Sequence, residues 1–570
     1  MARVNPPSPA IVAQSAVRRL PRLALWLFCL AYVLPGFIGR EPWKNADMQG
    51  FGYMFELARG NADWLAPTLL GHPPEFDALL PYWLGAWAIQ TLGGWMPADV
   101  AARLPYLGLL ALTLLATWHA IYQLARRPQA QPVAFAFGGE ADPKDYARAL
   151  ADAGLLALVA CLGLAQLSHE TTPSLAQLAF TALTFYALAA LPHPRPAWPV
   201  AALALGLAGL ALSGGPTLAT LFALGGAGVL AWRSDADAAQ TARQRRWALV
   251  IVGLAAAAAA LALAMHLWHW RLDTQGRDGP ALARLLVWFT WPAWPLALWT
   301  LWRWRHRLHD RHLALPLWLA GVALACALTT PNADRSLLLA LPPLAALAAF
   351  ALPTLSRPVA ALIDWFTLLF FSGIALVIWV VWLSLQTGVP AKPAANVAKL
   401  ATGFEPSFSV VAFVVALAGT LAWGALVRWR VGRHRAAIWK SLVLPAGGAA
   451  LCWLLLMTLW LPLLDYARSY RPVVDRVLPH LGSMSAGACV EVRGAHPSLL
   501  ASLEVFSSFR YEAQPQAGKS PRCEALIQVA KGPTQVLPTS MPGWRLVATV
   551  LRPTDREEKV GVYQRVADAP

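Results

Sequence analysis

Residues 408–440 read FSVVAFVVALAGTLAWGALVRWRVGRHRAAIWK. The first twenty of them, Phe408 to Val427, carry no charge. At about 1.5 Å per helical residue, twenty residues cross the ~30 Å hydrocarbon layer of a bilayer. Arg428, Arg430, Arg433, Arg435 and Lys440 follow at once. An uncharged helix ending in a basic cluster reads as a membrane span whose basic end lies in the cytoplasm.

The same unit recurs along the chain. Of its 570 residues 57% are hydrophobic and 13% charged, against about 25% charged in soluble domains. Apolar runs occupy residues 23–39, 104–125, 149–166, 174–192, 198–213, 216–232, 247–266, 284–302, 313–329, 336–353, 359–383, 408–427 and 441–464. The expected fold is therefore mainly α, a polytopic membrane protein of about thirteen transmembrane helices. Ser213-Gly214-Gly215-Pro216 either separates two helices or kinks one. Residues 1–20 hold Arg3, Arg18 and Arg19 but no apolar core, so the first run is expected to be retained rather than cleaved as a signal peptide.

The net charge of +16 raises the question of nucleic acid, and its placement answers it. Basic residues gather at 18–22, 126–148, 233–246, 303–311 and 428–440, in every second connection, while the alternate connections are nearly neutral. That distribution encodes membrane orientation and implies no nucleic-acid partner. Starting from a cytoplasmic N-terminus, an odd number of spans places the C-terminus outside. The expected location is a bacterial inner membrane, with the tail in the periplasm. Ionisable residues are nearly absent within the spans, which argues against an ion- or proton-coupled transporter.

Two external segments exceed simple connections. Residues 40–103 separate the first two spans. In them Phe51, Met54, Phe55 and Ala58 form an i, i+3, i+4, i+7 stripe, so residues 48–59 are expected to be an amphipathic helix stopped at Gly60. Tyr82, Trp83 and Trp87 suit a second helix at the membrane surface. The chain thus divides into a membrane domain, residues 1–465, and an external tail, residues 466–570. In the tail, strands are expected at 488–492, 525–529, 545–551 and 559–566, the last two as a hairpin, with a short helix over 497–506: a small α/β domain. Cys489 and Cys523 lie in this tail and are candidates for a disulfide. Cys29, Cys161, Cys326 and Cys452 lie in apolar runs as small hydrophobes. No Cys/His spacing suggests a metal site.

Polar groups collect at the external ends of the spans: Asp47, Glu56, Asp63, His72, Glu75 and Asp77, then His169, Glu170, Arg271 and Arg335. The first loop carries the most specific pattern. It reads Trp43-Lys44-Asn45-Ala46-Asp47, then Asp63-Trp64-Leu65-Ala66-Pro67, Gly71, Tyr82-Trp83 and Arg103-Leu104-Pro105. This resembles the ArnT-like and protein-mannosyltransferase families of GT-C fold, whose first external loop runs N-P-D-E, G-D-W-x-x-P, G, Y-W, R-L-P. Arg335-Ser336-Leu337-Leu338-Leu339-Ala340-Leu341-Pro342-Pro343 is similar to the family's R-Y-L-L-P-L-L-P-P segment.

The resemblance implies a membrane glycosyltransferase. Such an enzyme moves a sugar from a polyprenyl-phosphate donor to an envelope acceptor, namely lipid A, another glycan or a protein. Membrane lipids are then its surroundings. Asp47 falls on the family's catalytic aspartate, where a carboxylate positions or deprotonates the acceptor hydroxyl. That role needs Asp47 at an external cavity with a cation within a phosphate's reach. Arg103, Arg271 and Arg335 are the candidate phosphate ligands.

Met48 and Gly50 replace the family's glutamate and arginine. Pro74-Glu75-Phe76-Asp77-Ala78 stands where the family has Y-F-E-K-P, so Asp77 occupies the phosphate-binding lysine's place. The second acidic position of the family reads Ser174, with Glu170 four residues upstream as its substitute. The donor phosphate is accordingly expected to be held by Lys44 or Arg59, or through a divalent metal bridged by Glu75 and Asp77. The alternative reading is a catalytically inactive member that binds polyprenyl lipids or supports envelope assembly.

Overall fold

The computed structural model describes residues 8–566 other than 192–195, 233–237, 270–277, 332, 432–436, 483, 486, 514–522 and 533–534. All thirteen apolar runs are mainly helical. Among the described residues, six helices are each long and apolar enough to cross a membrane: Ala98–Ala125, Pro173–Ala190, Thr241–Ala264, Arg311–Thr329, Arg357–Thr387 and Val410–Arg430. Two further spans are bent pairs. Gly279–Phe289 turns by 85° into Ala293–Arg303, and Lys440–Leu456 turns by 70° into Leu461–Arg468. The first break falls at Pro292, which has no N–H for the helical ladder.

The other runs form shorter helices. Arg22–Val33 stops ahead of Pro35, short of the expected residue 39. Pro143–Ala160 ends where Cys161 turns extended, and the chain then passes to the outer end through Leu164–Leu167. Pro143–Ala160 is buried from Tyr146 to Ala160 at every residue but Arg148, so it forms the centre of the bundle. Ser213 to Gly215 does separate two helices, Ala197–Leu212 and Pro216–Ala231.

The two ends of the bundle differ chemically. At one end the Arg-rich connections bond to one another. Arg19 pairs with Asp145 at 3.1 Å, Trp439 Nε1 donates to the Arg18 carbonyl at 2.7 Å, and Arg307 donates to the Gln129 carbonyl at 3.1 Å. At the other end lie the first long loop, residues 165–172, Arg335 and the tail. Alternation of basic connections in the sequence has become segregation in space.

The first long loop folds as expected. Ala46–Arg59 is a helix whose C-cap Gly60 adopts the left-handed conformation that favours glycine, φ 77°. Leu80–Leu92 carries Trp83 and Trp87. Trp64 stacks on Trp87, and Trp83 Nε1 donates to the Trp64 carbonyl at 2.7 Å.

The tail is a mixed six-stranded sheet. Its strands are β1 (Cys489–Arg493), β2 (Arg510–Glu512), β3 (Ala525–Lys531), β4 (Ser540–Met541), β5 (Trp544–Arg552) and β6 (Asp555–Arg565), in the order β2-β1-β3-β6-β5-β4. Both partners of β1 are parallel to it, and helix Pro497–Phe506 makes the crossover to β2. The β5–β6 hairpin is tighter than expected, because β6 begins at Asp555 rather than at residue 559. Cys489 and Cys523 are disulfide-bonded.

Helix Pro497–Phe506 rests on Ala46–Arg59 so closely that a Cβ on Gly52 would lie 2.6 Å from that of Ala501. Burial raises the Glu56 and Glu504 carboxyls above the usual glutamate value. Glu56 raises Glu504 further, and Arg59, 3.3 Å from Glu504, opposes it. The docked state therefore holds more protons than the separated one, and docking weakens as pH rises from about 4.3 upward. Hydrogen-exchange protection of residues 497–506, corrected for intrinsic rates, is expected to fall as pH rises above the ordinary glutamate value of about 4.3. Glu56→Gln combined with Glu504→Gln should flatten that dependence. A flat wild-type profile rejects the assignment.

Candidate functional site

Asn45 precedes helix Ala46–Arg59 with φ 69° and ψ −128°, a backbone conformation that favours glycine, and places Asp47 in the helix's first turn. A carboxylate there meets the positive end of the helix dipole. Asp47 Oδ2 accepts from the Trp43 amide at 3.0 Å and forms an ion pair with Arg40 Nη2 at 2.9 Å. Oδ1 accepts from the Thr171 amide at 2.7 Å and from Thr171 Oγ1 at 2.8 Å. The Asp47 and Arg40 side chains are each 1% exposed. Burial works against the Asp47 charge. Arg40, then Arg103, and the amides of Thr171 and Trp43 outweigh it and hold the carboxyl below its usual range. Gly50 makes the contact with residue 171 feasible, since a Cβ there would come within 2.5 Å of the Thr171 carbonyl oxygen. The arginine that the family carries at this position would not fit here.

Thr171 is thereby fixed, and its neighbour Glu170 reaches the other way. Glu170 Oε2 pairs with Arg335 Nη2 at 2.8 Å, and Oε1 accepts from Gln166 at 3.1 Å. Glu170 is 6% and Arg335 15% exposed. Arg335 Nη1 is buried without a hydrogen-bond partner.

Among the described residues, two adjoining cavities meet at this guanidinium. The smaller is lined by Gln49, Gly50, Tyr82 and Thr172, and the larger, of about 480 Å³, by apolar faces of Pro216–Ala231 and Arg311–Thr329. Glu75, Phe76, Ser174 and Arg335 line both. The larger cavity thus has a polar mouth and an apolar depth within the spans. A molecule with a charged head and a hydrocarbon tail matches that division.

No protein-family profile and no curated protein sequence matches the chain. Solved structures do match, among them two of one protein. One is ArnT from Cupriavidus metallidurans in the apo state, with TM-score 0.58 and 15% identity, covering 95% of this chain and 98% of that one. The other is the same enzyme bound to undecaprenyl phosphate, with TM-score 0.61 and 14% identity, covering 97% and 100%. The chain has the ArnT-like GT-C fold.

On this ArnT-like frame the residues singled out in the sequence separate into three groups. Arg335, Glu75 and Asp77 line the larger cavity, and Glu170 holds Arg335. Asp47 lies behind them and lines neither cavity. Arg103, buried and 3.3 Å from Asp99, adds positive charge near Asp47.

The others point elsewhere. Arg59 lies over Phe55 and pairs with Glu504 of the tail. Lys44 is half-buried near Arg552, Asp555 and Glu558 of the tail, and burial together with Arg552 lowers its pKa. Neither lines the cavities, because the tail packs on the outer side of the loop that carries both. Arg271 lies outside the described residues. Asp77 pairs with His269 at 2.8 Å, and among the described residues no third donor joins Glu75 and Asp77 in a metal-binding cluster.

Several site residues escaped the sequence reading. Arg40 donates to the His169 carbonyl at 2.7 Å and pairs with Asp47. Trp43 lies between the guanidinium groups of Arg40 and Arg468, at 4.7 and 5.0 Å, and its Nε1 donates to Asp465 at 2.7 Å. The available signal was a charge placed right at a span end: Arg40 after the first, Asp465 and Arg468 after the last.

Proposed function

We propose that this chain is a membrane glycosyltransferase. It takes a sugar from a polyprenyl-phosphate donor and passes it to an envelope acceptor, lipid A, another glycan or a protein, on the periplasmic face of a bacterial inner membrane. The observation that carries the reading is Arg335. Its guanidinium sits where an apolar cavity within the spans meets a group of carboxylates, with one nitrogen unengaged. A lipid-linked phosphate needs that juxtaposition, and the ArnT that shares the fold was solved with undecaprenyl phosphate.

Arg335 holds the phosphate oxygens, and Glu170 keeps the guanidinium aimed at them. The acceptor oxygen attacks the anomeric carbon while the bond from that carbon to the phosphate oxygen breaks. Polyprenyl phosphate leaves, and its new negative charge is stabilised by Arg335. The acceptor proton passes to a carboxylate. Among the described residues, Glu75 is the carboxylate that lines both cavities, and we assign it this role. Asp47, with three hydrogen-bond donors and the Arg40 guanidinium on its two oxygens, acts as a positioning residue that fixes Thr171 and so Glu170. Arg40 and Arg103 keep it ionised.

The second reading, a non-catalytic polyprenyl-lipid-binding protein, draws on Asp77, an anion where the family holds a cation. Purified wild type and Glu75→Gln, given a panel of polyprenyl-phosphate sugars, separate the two. Turnover by wild type that falls by about 10²-fold or more in Glu75→Gln supports the enzyme. Lipid binding without turnover of any donor supports the second reading.

A further inference from the structure

The larger cavity has a far end that its proposed role in catalysis does not use. Trp318, Val322, Ala325 and Thr329 of Arg311–Thr329 recur at i, i+4, i+7 and i+11 and all line the cavity. They mark about 16 Å of wall, from the polar mouth into the membrane. Thr217, Leu218 and Leu221 of Pro216–Ala231 form the facing wall. The wall ends at Trp318. Its indole lies across Gly225, where a Cβ would fall 1.8 Å from Nε1, and Nε1 donates to the Leu221 carbonyl at 2.9 Å. Trp318 is 42% and Leu221 38% exposed, so the cleft is bounded there by one side chain with the bilayer beyond it.

Taking the polyprenyl-phosphate reading as its basis, we infer that the lipid tail leaves the cavity through this cleft, across Trp318. The indole on Gly225 is then the determinant by which the protein distinguishes long from short polyprenyl chains. The length argument fixes the path. An eleven-unit polyprenyl chain, with four chain carbons per unit, extends to roughly 50 Å at the ~1.2 Å advance per bond of an extended chain. A phosphate at Arg335 leaves room for about three units before Trp318, so the remaining units lie in the bilayer. A two-unit chain ends inside and never reaches the indole. Glycine at 225 lets the ring lie flat against the neighbouring helix, which makes an apolar lip for the departing chain.

The test compares binding of geranyl phosphate and undecaprenyl phosphate to purified wild type, Trp318→Ala and Gly225→Ala. Trp318→Ala is expected to weaken undecaprenyl phosphate about tenfold, by loss of one large apolar contact, and to leave geranyl phosphate within about twofold. Gly225→Ala keeps the indole but removes its seat, and should move the same ratio in the same direction. The ratio is read within each preparation, so partial misfolding shifts both lipids together and leaves it unchanged. An undecaprenyl-to-geranyl ratio equal to wild type in both variants overturns the inference. If wild type binds undecaprenyl phosphate but neither variant changes its preference, the function proposed above stands and only the path is wrong. Wild type that binds neither lipid overturns the function itself, and this path with it.

Discussion

Arg335→Ala is expected to lower affinity for undecaprenyl phosphate by about a hundredfold, ~2.7 kcal/mol at ~1.4 kcal/mol per decade. Arg335 lines both cavities, and its Nη1 is buried without a partner. A hydrogen bond to a charged group that reuses an already desolvated donor is worth about 1.5–3 kcal/mol. Arg335→Lys keeps the charge and loses the planar fork, so a smaller loss of about tenfold is expected. The Ala change also strands Glu170, which is 6% exposed and bonded to Arg335 at 2.8 Å. Part of its effect will therefore appear as lost stability. Combining Arg335→Ala with Glu170→Gln removes the stranded charge. Thermal stability should then recover toward wild type while lipid affinity stays low. Recovery of both would make Arg335 a structural partner of Glu170 and nothing more.

Asp47→Ala should destabilise the outer end of the bundle by about 3–5 kcal/mol, the range for removing one partner of a buried ion pair. Arg40 would be left charged, 1% exposed and without its carboxylate. The amides of Trp43 and Thr171 would lose their acceptor. Asp47→Asn is a sharper probe. An amide offers one acceptor and one donor, so its NH₂ must face either the Arg40 side or the Thr171 side, donor against donor. Melting temperature in detergent should fall by several degrees, and exchange of the Thr171 amide should rise. Arg40→Met with Asp47→Leu, which replaces the pair by apolar groups, separates the two roles for Asp47. A positioning role predicts recovered stability with part of the turnover. A reacting carboxylate predicts recovered stability with none.

What the amino-acid order decides by itself is the local and periodic part. Charge-free runs about as long as a bilayer is thick give the helices, basic connections give the two unlike ends, and the stripe Phe51, Met54, Phe55, Ala58 gives the loop helix that ends at Gly60. The tail's helix over 497–506 and its hairpin were legible because both obey short-range rules.

Partnership was decided by the tertiary structure alone. Asp47 meets Thr171 across 124 residues, Glu170 meets Arg335 across 165, and Trp43 meets Asp465 across 422. A sequence shows that a carboxylate stands at a helix end, but whether it faces a cavity or packed donors depends on which distant backbone packs against it. Gly50 illustrates the physical reason. It reads as the loss of a family arginine until the Thr171 carbonyl is seen to occupy the space a side chain would need. That close approach brings Thr171 onto Asp47, and burial fixes the Asp47–Arg40 ion pair beside it, because a charge removed from water must keep its partner. The sequence shows Asp47 as a carboxylate at a helix start, and packing alone decides that it lines neither cavity while Arg335 and Glu75 line both.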